Sequence, residues 1–419
     1  VELLKLVFKL KSKFTTKQLE IMKELSWHTS KLYNIVNYQI INDENIKPIY
    51  NQIEKQFKSD WHCEFLHSHN RQQCFKQLAQ DWKSFFSSIK DYKKNPSKYK
   101  GQPRPPKFKN IDKNPNEVIF TNFATRVKEG KLLLSLSKEI KSKYDVESLN
   151  FELPLAVQNI INLDNLQQTR LKQDKLSKEW YILMIYKVEE MEESAYPNTM
   201  AIDLGLDNLA TLTFKDDSES YIINGKTLKS KNAYFNREIA RLSSIRMKQV
   251  GSDKFKDTKH MKRLRLNRRD YVKDYLYKAS RIIVDLAIKH RVSTIVIGNI
   301  KNIKQGNKSK SFVQVPVQRL VELIKCKAKL KGIEVALVNE SYTSGCSAID
   351  LEELNKSNYN KSRRIKRGLF QTGNKIINSD VNGSINIMRK YLKDKCIPKM
   401  ICQIRDNGVM YTPKGIRVA

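Results

Sequence analysis

Apolar and charged residues alternate along Leu3–Leu10 with the period of a strand that has one wet face. From Thr15, a capping residue, the period becomes helical, and apolar positions recur at that spacing through Ile41. A second helix is predicted from about Arg71 to Tyr92, with Leu78, Trp82, Phe85, Phe86 and Ile89 on one stripe. Trp61, Phe65 and Leu66 read as core just before it. Between about Lys93 and Lys109 the chain turns rich in Lys, Pro and Gly, a composition that suits an extended basic connector rather than a packed core. Strand patterns return at Glu117–Phe123, Lys131–Leu136 and Glu179–Val188. The order predicts a small β-barrel with a helical unit inserted after its first strand.

An acidic linker begins at Glu190, and a different pattern follows it. Met200–Phe214 reads as a buried strand, a Gly turn and a second strand returning alongside. Asn236 to about Lys289 is strongly helical and basic. Val292–Ile297 is a buried strand of the parallel type, Phe312–Leu330 a helix, Gly332–Glu340 a further strand, and Ile377–Arg389 opens an amphipathic helix. Hairpin strands, a helix, a strand, a helix and another strand predict a ribonuclease H-like α/β fold. The whole chain is thus expected to be multidomain, α/β plus β-barrel.

Charge changes the picture more than composition does. The 419 residues carry 78 Lys plus Arg against 44 Asp plus Glu, a formal net charge of +34, and the natural partner of such a chain is a polyanion. No apolar run of about 18 residues and no charged leader with a short apolar core is present, which argues against a membrane and for the cytoplasm. Six cysteines stand without framework spacing, as suits a reducing compartment. His62, Cys63, His67, His69 and Cys74 match no standard zinc-ligand spacing and read as packing or solvent-facing residues.

Two acids then stand out. Asp203 interrupts an apolar strand, where an uncompensated carboxylate costs several kcal/mol. Alone it equally suits an Asp at a strand end or turn. Asp380 stands at the dipole-favoured opening of the last amphipathic helix, and two distant carboxylates presented to one point make a metal site.

Ala201–Gly205 and Asp380–Ile387 resemble the first and third motifs of the RuvC-type nuclease domain in TnpB proteins, transposon-encoded relatives of the type V CRISPR effectors. Gly101–Lys109 and Ser341–Ser344 are also similar to segments of that family. The resemblance implies a β-barrel (wedge) domain in two parts, 1–12 and 113–195, around a helical recognition domain with its basic connector at 13–112. A RuvC-like nuclease domain would occupy 196–419. It also implies an RNA-guided DNA endonuclease with a noncoding guide RNA and double-stranded target DNA, whose unwound strands reach the nuclease site. Phosphodiester hydrolysis of this type uses two Mg²⁺ ions about 3.5 to 4 Å apart, Mn²⁺ being a substitute, held by several carboxylates.

Asp203 and Asp380 are ligands by resemblance; the third acid is displaced. The family's second motif ends its strand with Glu, where this chain has Ile297-Gly298-Asn299. The strands ending at Ile297 and near Asn339 are expected to be parallel neighbours about 4.8 Å apart, so Glu340 can supply the carboxylate from next door, with Gly298 leaving it room. Some TnpB relatives similarly have Gly at this position and Glu before Ser-Tyr-Thr-Ser. Asp207 reads as a turn residue and Asn382 as one that caps or orients the last helix. Many relatives also carry two Cys-x-x-Cys pairs for a structural zinc; here Ile349 follows Cys346 at the partner position, so 345–376 is expected to be a cysteine-poor basic insertion without zinc.

Nucleic-acid contacts are expected from Arg104, Lys107 and Lys109 in the connector, from Lys262, Arg263, Arg265, Arg268 and Arg269 in the basic helix, and from Arg363, Arg364, Lys366 and Arg367 in the insertion. Three rivals stay open: a nuclease-dead repressor, favoured by the missing acid of the second motif; a compact type V CRISPR effector; and an unguided nuclease. The oligomeric state is not fixed by the sequence.

Overall fold

The computed structural model describes all residues except 1, 2, 12, 162, 163, 190, 193, 300–314, 367, 394–397, 408–411 and 419. It forms two compact units that divide between Glu189 and Glu190, at the start rather than the end of the acidic segment.

In the first unit, β1 (Leu3–Leu10) is followed by helices α1 (Thr16–Asn42), α2 (Tyr50–Phe57) and α3 (Ser68–Lys94). Thr15 starts α1 through a capping box: its hydroxyl accepts from the Gln18 amide while the Gln18 side chain accepts from the Thr15 amide. Strands β2 (Val118–Thr121), β3 (Thr125–Lys128), β4 (Lys131–Ser135), β5 (Ser148–Glu152), β6 (Leu166–Gln173) and β7 (Trp180–Glu189) follow, with short helices α4 (Lys138–Tyr144) and α5 (Leu155–Gln158) between them. They make two antiparallel sheets, β1-β7-β6-β2 and β3-β4-β5. Along β7 the buried residues Trp180, Ile182, Met184 and Tyr186 alternate with half-buried ones, so one face meets the core. One hydrophobic cluster joins both sheets to the helices.

Two expected core residues are outside it. Trp61, ahead of α3, is 55% exposed, and Phe86 is 50% exposed because the buried stripe of α3 ends at Trp82. The connector is extended as expected. It is tied to α1 by Asn34, which exchanges hydrogen bonds with the Lys109 backbone, and by Asn37, which donates to the Pro106 carbonyl.

Two histidines of this unit, His28 and His62, are buried against each other. His28 is buried, with Nδ1 2.9 Å from His62 Nδ1 and its ring stacked 4.2 Å from Phe65. Burial first, then the neighbouring His62, pushes its pKa down to about 4; Glu24 opposes this. The unfolded chain therefore takes up the proton first as pH falls. Stability from this site is complete above about pH 6.5 and lost toward pH 4, by at most about 3 kcal/mol. Urea melts across that range are expected to show a smaller loss in His28→Gln than in the wild type.

The second unit is built on a six-stranded sheet in the order β12-β11-β8-β9-β10-β15. Its strands are β8 (Asn198–Leu204), β9 (Asn208–Phe214), β10 (Ser220–Asn224), β11 (Val292–Asn299), β12 (Glu334–Asn339) and β15 (Lys414–Ile416). The first three run antiparallel, while β11 is parallel to both β8 and β12. The long basic helical region is two helices, α6 (Lys226–Val250) and α7 (Lys259–Lys289). Gly251 ends the first in the left-handed conformation (φ 66°), which glycine adopts without Cβ strain. Next come α8 (Val317–Lys329), a hairpin of β13 (Leu369–Thr372) and β14 (Lys375–Asn378), α9 (Ser379–Leu392) and α10 (Lys399–Asn407).

Alternation decides which side chains meet which helix. Met200, Ile202 and Leu204 of β8 pack with α7 and α8. Ala201 points the other way and packs with Val296 of β11 and with Ile387 and Met388 of α9. By the same period of two, Asp203 and Gly298 belong to the α9 face.

Candidate active site

Asp203 and Asp380 come from different elements, and the charge of Asp380 acts on Asp203. Asp203 follows Ala201 on the α9 face of β8, and its Oδ2 is so near α9 that a Cβ on Gly383 would stand 2.7 Å from it. Helix α9 is pinned there by Ser384, whose hydroxyl donates to the Ala201 carbonyl and lies 2.9 Å from Thr213 Oγ1. The helix starts at the cap residue Asn378, whose side chain accepts from the amides of Asp380 and Val381. Asn382 is therefore not the cap. It is fully buried in the first turns, donating to the Cys346 carbonyl and accepting from the Ala348 amide, which ties the following loop to the helix. Asp207 is held in the turn by Lys229 at 2.9 Å.

Glu340 follows directly on β12, paired with β11 so that Gly298 stands opposite Val338 and Asn299 opposite Asn339. Its carboxylate lies over Gly298: a Cβ there would come within 2.1 Å of Glu340 Oε1 and 2.7 Å of its Cγ and Cδ. Any side chain at 298 would displace the Glu340 carboxylate. Glu340 Oε1 is buried and accepts no hydrogen bond among the described residues, an arrangement that native proteins rarely leave uncompensated.

The electrostatics are those of crowded like charges. Burial, then Glu340, then Asp380 hold the Asp203 carboxyl well above its ordinary range, and Arg364 works in the opposite direction. Burial pushes Glu340 up to about 7. Carboxylates that repel one another in a poorly solvated place are stabilised by a cation, and an all-oxygen set suits a hard one. The residues thus fit a divalent ion in charge and donor type. As they stand, no three His, Cys, Asp or Glu side chains among the described residues are drawn together tightly enough to hold one.

Asn208, at the start of β9, has no sequence signal that singles it out. Its Nδ2 donates to Asp380 Oδ2 at 2.6 Å and fixes the rotation of that carboxylate.

The 345–376 insertion is held by apolar packing. Ala348, Ile349, Phe370 and Ile377 share a cluster with Val381 and Ile385 of α9 and with α10. Buried Cys346 directs its thiol to the Asn355 carbonyl at 3.7 Å.

The expected nucleic-acid residues divide by environment. Arg104, Lys107, Lys262, Arg263, Arg364 and Lys366 are exposed. Lys109 is half-buried, 3.7 Å from Asp81 and 4.1 Å above the Tyr33 ring, so its charge is already used within the fold. Arg265 pairs with Asp257, Arg269 with Asp270 and Arg363 with Glu352, and Arg268 donates to Asn232. Partly exposed pairs of this kind contribute about 1 kcal/mol or less. Arg367 lies outside the described residues. No helix among the described residues is long and apolar enough to cross a membrane.

Residues 184–304 match the family OrfB_IS605, a probable transposase, and residues 318–387 match the Cas12f1-like TNB domain. The chain is 24% identical over 234 residues to the CRISPR-associated endodeoxyribonuclease Cas12f2 of a Micrarchaeota archaeon, covering 52% of this chain and 41% of that protein. It is 26% identical over 200 residues to Cas12f1 of Syntrophomonas palmitatica, covering 45% and 39%. Its fold is similar to that of Cas12f1 in a complex with sgRNA and target DNA, with a TM-score of 0.53 at 18% identity over 90% of this chain and 83% of that one. It is likewise similar to the mini-RNA-guided endonuclease CRISPR-Cas_phi3, with a TM-score of 0.52 at 10% identity over 94% and 93%. The chain thus resembles, in this order, the TnpB-type transposase family over 184–304 and the Cas12f1-like TNB domain over 318–387, and it spans about two fifths of the length of the curated relatives it matches.

Proposed function

We propose that the chain is an RNA-guided DNA endonuclease whose RuvC-like site uses Asp203, Glu340 and Asp380 as its metal ligands. The observation that carries this reading is the Glu340 carboxylate lying over Gly298, with one oxygen unpaired and its charge acting on Asp203. Here the six-stranded sheet with α7, α8 and α9 is the ribonuclease H-like domain, and the antiparallel sheets of the first unit are an oligonucleotide-binding-type barrel that carries α1–α3 as recognition helices. When bound, two Mg²⁺ ions, or Mn²⁺ in their place, would be held by the three carboxylates and would activate the attacking water and stabilise the leaving oxygen. The chain's own part is to keep those acids aimed. Asn208 orients Asp380, the Ser384 contacts fix α9 on β8, and the absent Cβ of Gly298 leaves room for Glu340. Base pairing with a guide RNA would supply sequence specificity, and exposed Arg104, Lys107, Lys262, Arg263, Arg364 and Lys366 would meet phosphates.

Gly298 also favours a second reading, a guide-dependent DNA-binding repressor in which the site has decayed. One experiment separates the two. RNA that copurifies with the expressed protein is sequenced, and the complex is offered plasmids bearing the matching target beside randomised flanks, with Mg²⁺ or with chelator. Mg²⁺-dependent cuts next to one short flank are expected. Retention of the target without cutting would establish the repressor, and failure to hold any defined RNA would overturn both readings.

A further inference from the structure

Helix α9 carries three polar side chains at helical spacing, Asn382, Asn386 and Lys390, along one edge. Each reaches the turn that follows β12. Asn382 donates to the Cys346 carbonyl, and Asn386 to those of Thr343 and Cys346. The Lys390 ammonium donates to the carbonyls of Asn339 at 3.1 Å and Ser341 at 2.6 Å, the two residues flanking Glu340. Within the turn, Asn339 Oδ1 accepts from the amide and hydroxyl of Ser341, and the Thr343 hydroxyl donates to the Glu340 carbonyl. Tyr342 next to it stands at φ 69°, a left-handed conformation that a non-glycine residue keeps only when its surroundings impose it.

We propose that Lys390 is a positioning residue for cleavage, its ammonium holding the turn that carries Glu340 so that the carboxylate reaches across Gly298 toward Asp203. The inference rests on the reading of Glu340 as a metal ligand. An acid carried on β11 itself would be placed by the sheet; an acid one residue beyond the end of a neighbouring strand needs another anchor. Lys390 supplies that anchor from the helix that also carries Asp380, so the two acids share one rigid element. The bland reading is that Lys390 only satisfies two strand-end carbonyls, and it makes a different forecast.

The test uses the full chain and Lys390→Met, with Lys390→Gln as the milder variant that keeps one amide donor. Three quantities are read: the cleavage rate of the guide complex against Mg²⁺ concentration, the melting temperature of the metal-free protein, and its shift on adding Mn²⁺ without nucleic acid. Lys390→Met is expected to raise the Mg²⁺ concentration for half-maximal cleavage about tenfold or more, as loss of a support to a metal ligand does elsewhere, and to shrink the Mn²⁺ shift. Lys390→Gln should fall between it and the wild type. If Lys390→Met does not fold, an unchanged midpoint in Lys390→Gln overturns the inference. So does a variant that melts earlier while its metal midpoint and Mn²⁺ shift stay as in the wild type. Glu340→Gln run in parallel separates the two claims: its full activity would remove the reading beneath, whereas its inactivity beside an unaffected Lys390→Met would remove only the role of Lys390.

Discussion

Asp203→Asn and Asp380→Asn are each expected to lower metal-dependent DNA cleavage by about 10³-fold or more, while guide and target binding persist. Transition-state stabilisation by a bound ion amounts to several kcal/mol, and each 1.36 kcal/mol is tenfold in rate. The acids lie on the strand and helix that build the site, not among the exposed cations proposed to meet phosphate. Asp203→Asn carries a second signature. The wild-type carboxyl is held well above its ordinary range by burial and by Glu340 and Asp380, so its ionised form strains the metal-free fold. Removing that charge should raise the melting temperature of the metal-free protein at neutral pH and above, while weakening the stabilisation gained from Mn²⁺. A purely structural Asp203 would show the reverse, a lower melting temperature in the amide variant. Normal cleavage by either variant would end the metal-site assignment.

How much of this was legible in the sequence depended on range. The capping Thr15, the strand at Glu179–Val188 and the parallel neighbours β11 and β12 follow from local pattern and chain order, and the structure has all of them. Two of the misses were also local. A stripe of aromatic residues does not reveal where a helix outruns its partner, which left Phe86 exposed, and Asn378 competes with Asn382 for the cap on equal chemistry. The basic residues raise a different point. Charge predicts polyanion contact, and Lys109, Arg265 and Arg363 each also meet a carboxylate in the fold; only the tertiary structure brings those partners close. The supports of the site were beyond reach for the same reason: Asn208 meets Asp380 across 172 positions and Lys390 meets the Glu340 turn across about fifty. The fold-level matches leave these supports unassigned, because they belong to side chains rather than to the backbone path.

Glu340→Gln is expected to eliminate cleavage, and Gly298→Glu in that background to recover a measurable part of it. The amide is nearly isosteric, so the turn after β12 and its contacts to Lys390 should survive while the charge is lost. Gly298 and Glu340 occupy one volume, since a Cβ at 298 would stand 2.1 Å from Oε1. The same clash fixes the order of effects. Gly298→Glu alone, with Glu340 intact, should be worse than the rescue double: two carboxyls would compete for one berth, already unfavourable enough to push a single Glu up to about 7. In the double variant the uncharged Gln can be displaced into solvent at the cost of a few contacts, and the new Glu takes up the position on β11, parallel to β8 and facing α9. Cleavage rates with Mg²⁺ and with Mn²⁺ for the two single variants and the double decide the matter. Full activity in Glu340→Gln would show that the acid is not used. An inactive Glu340→Gln that Gly298→Glu leaves wholly unrescued, in a protein that still binds Mn²⁺, would mean that the carboxylate works only from the end of β12.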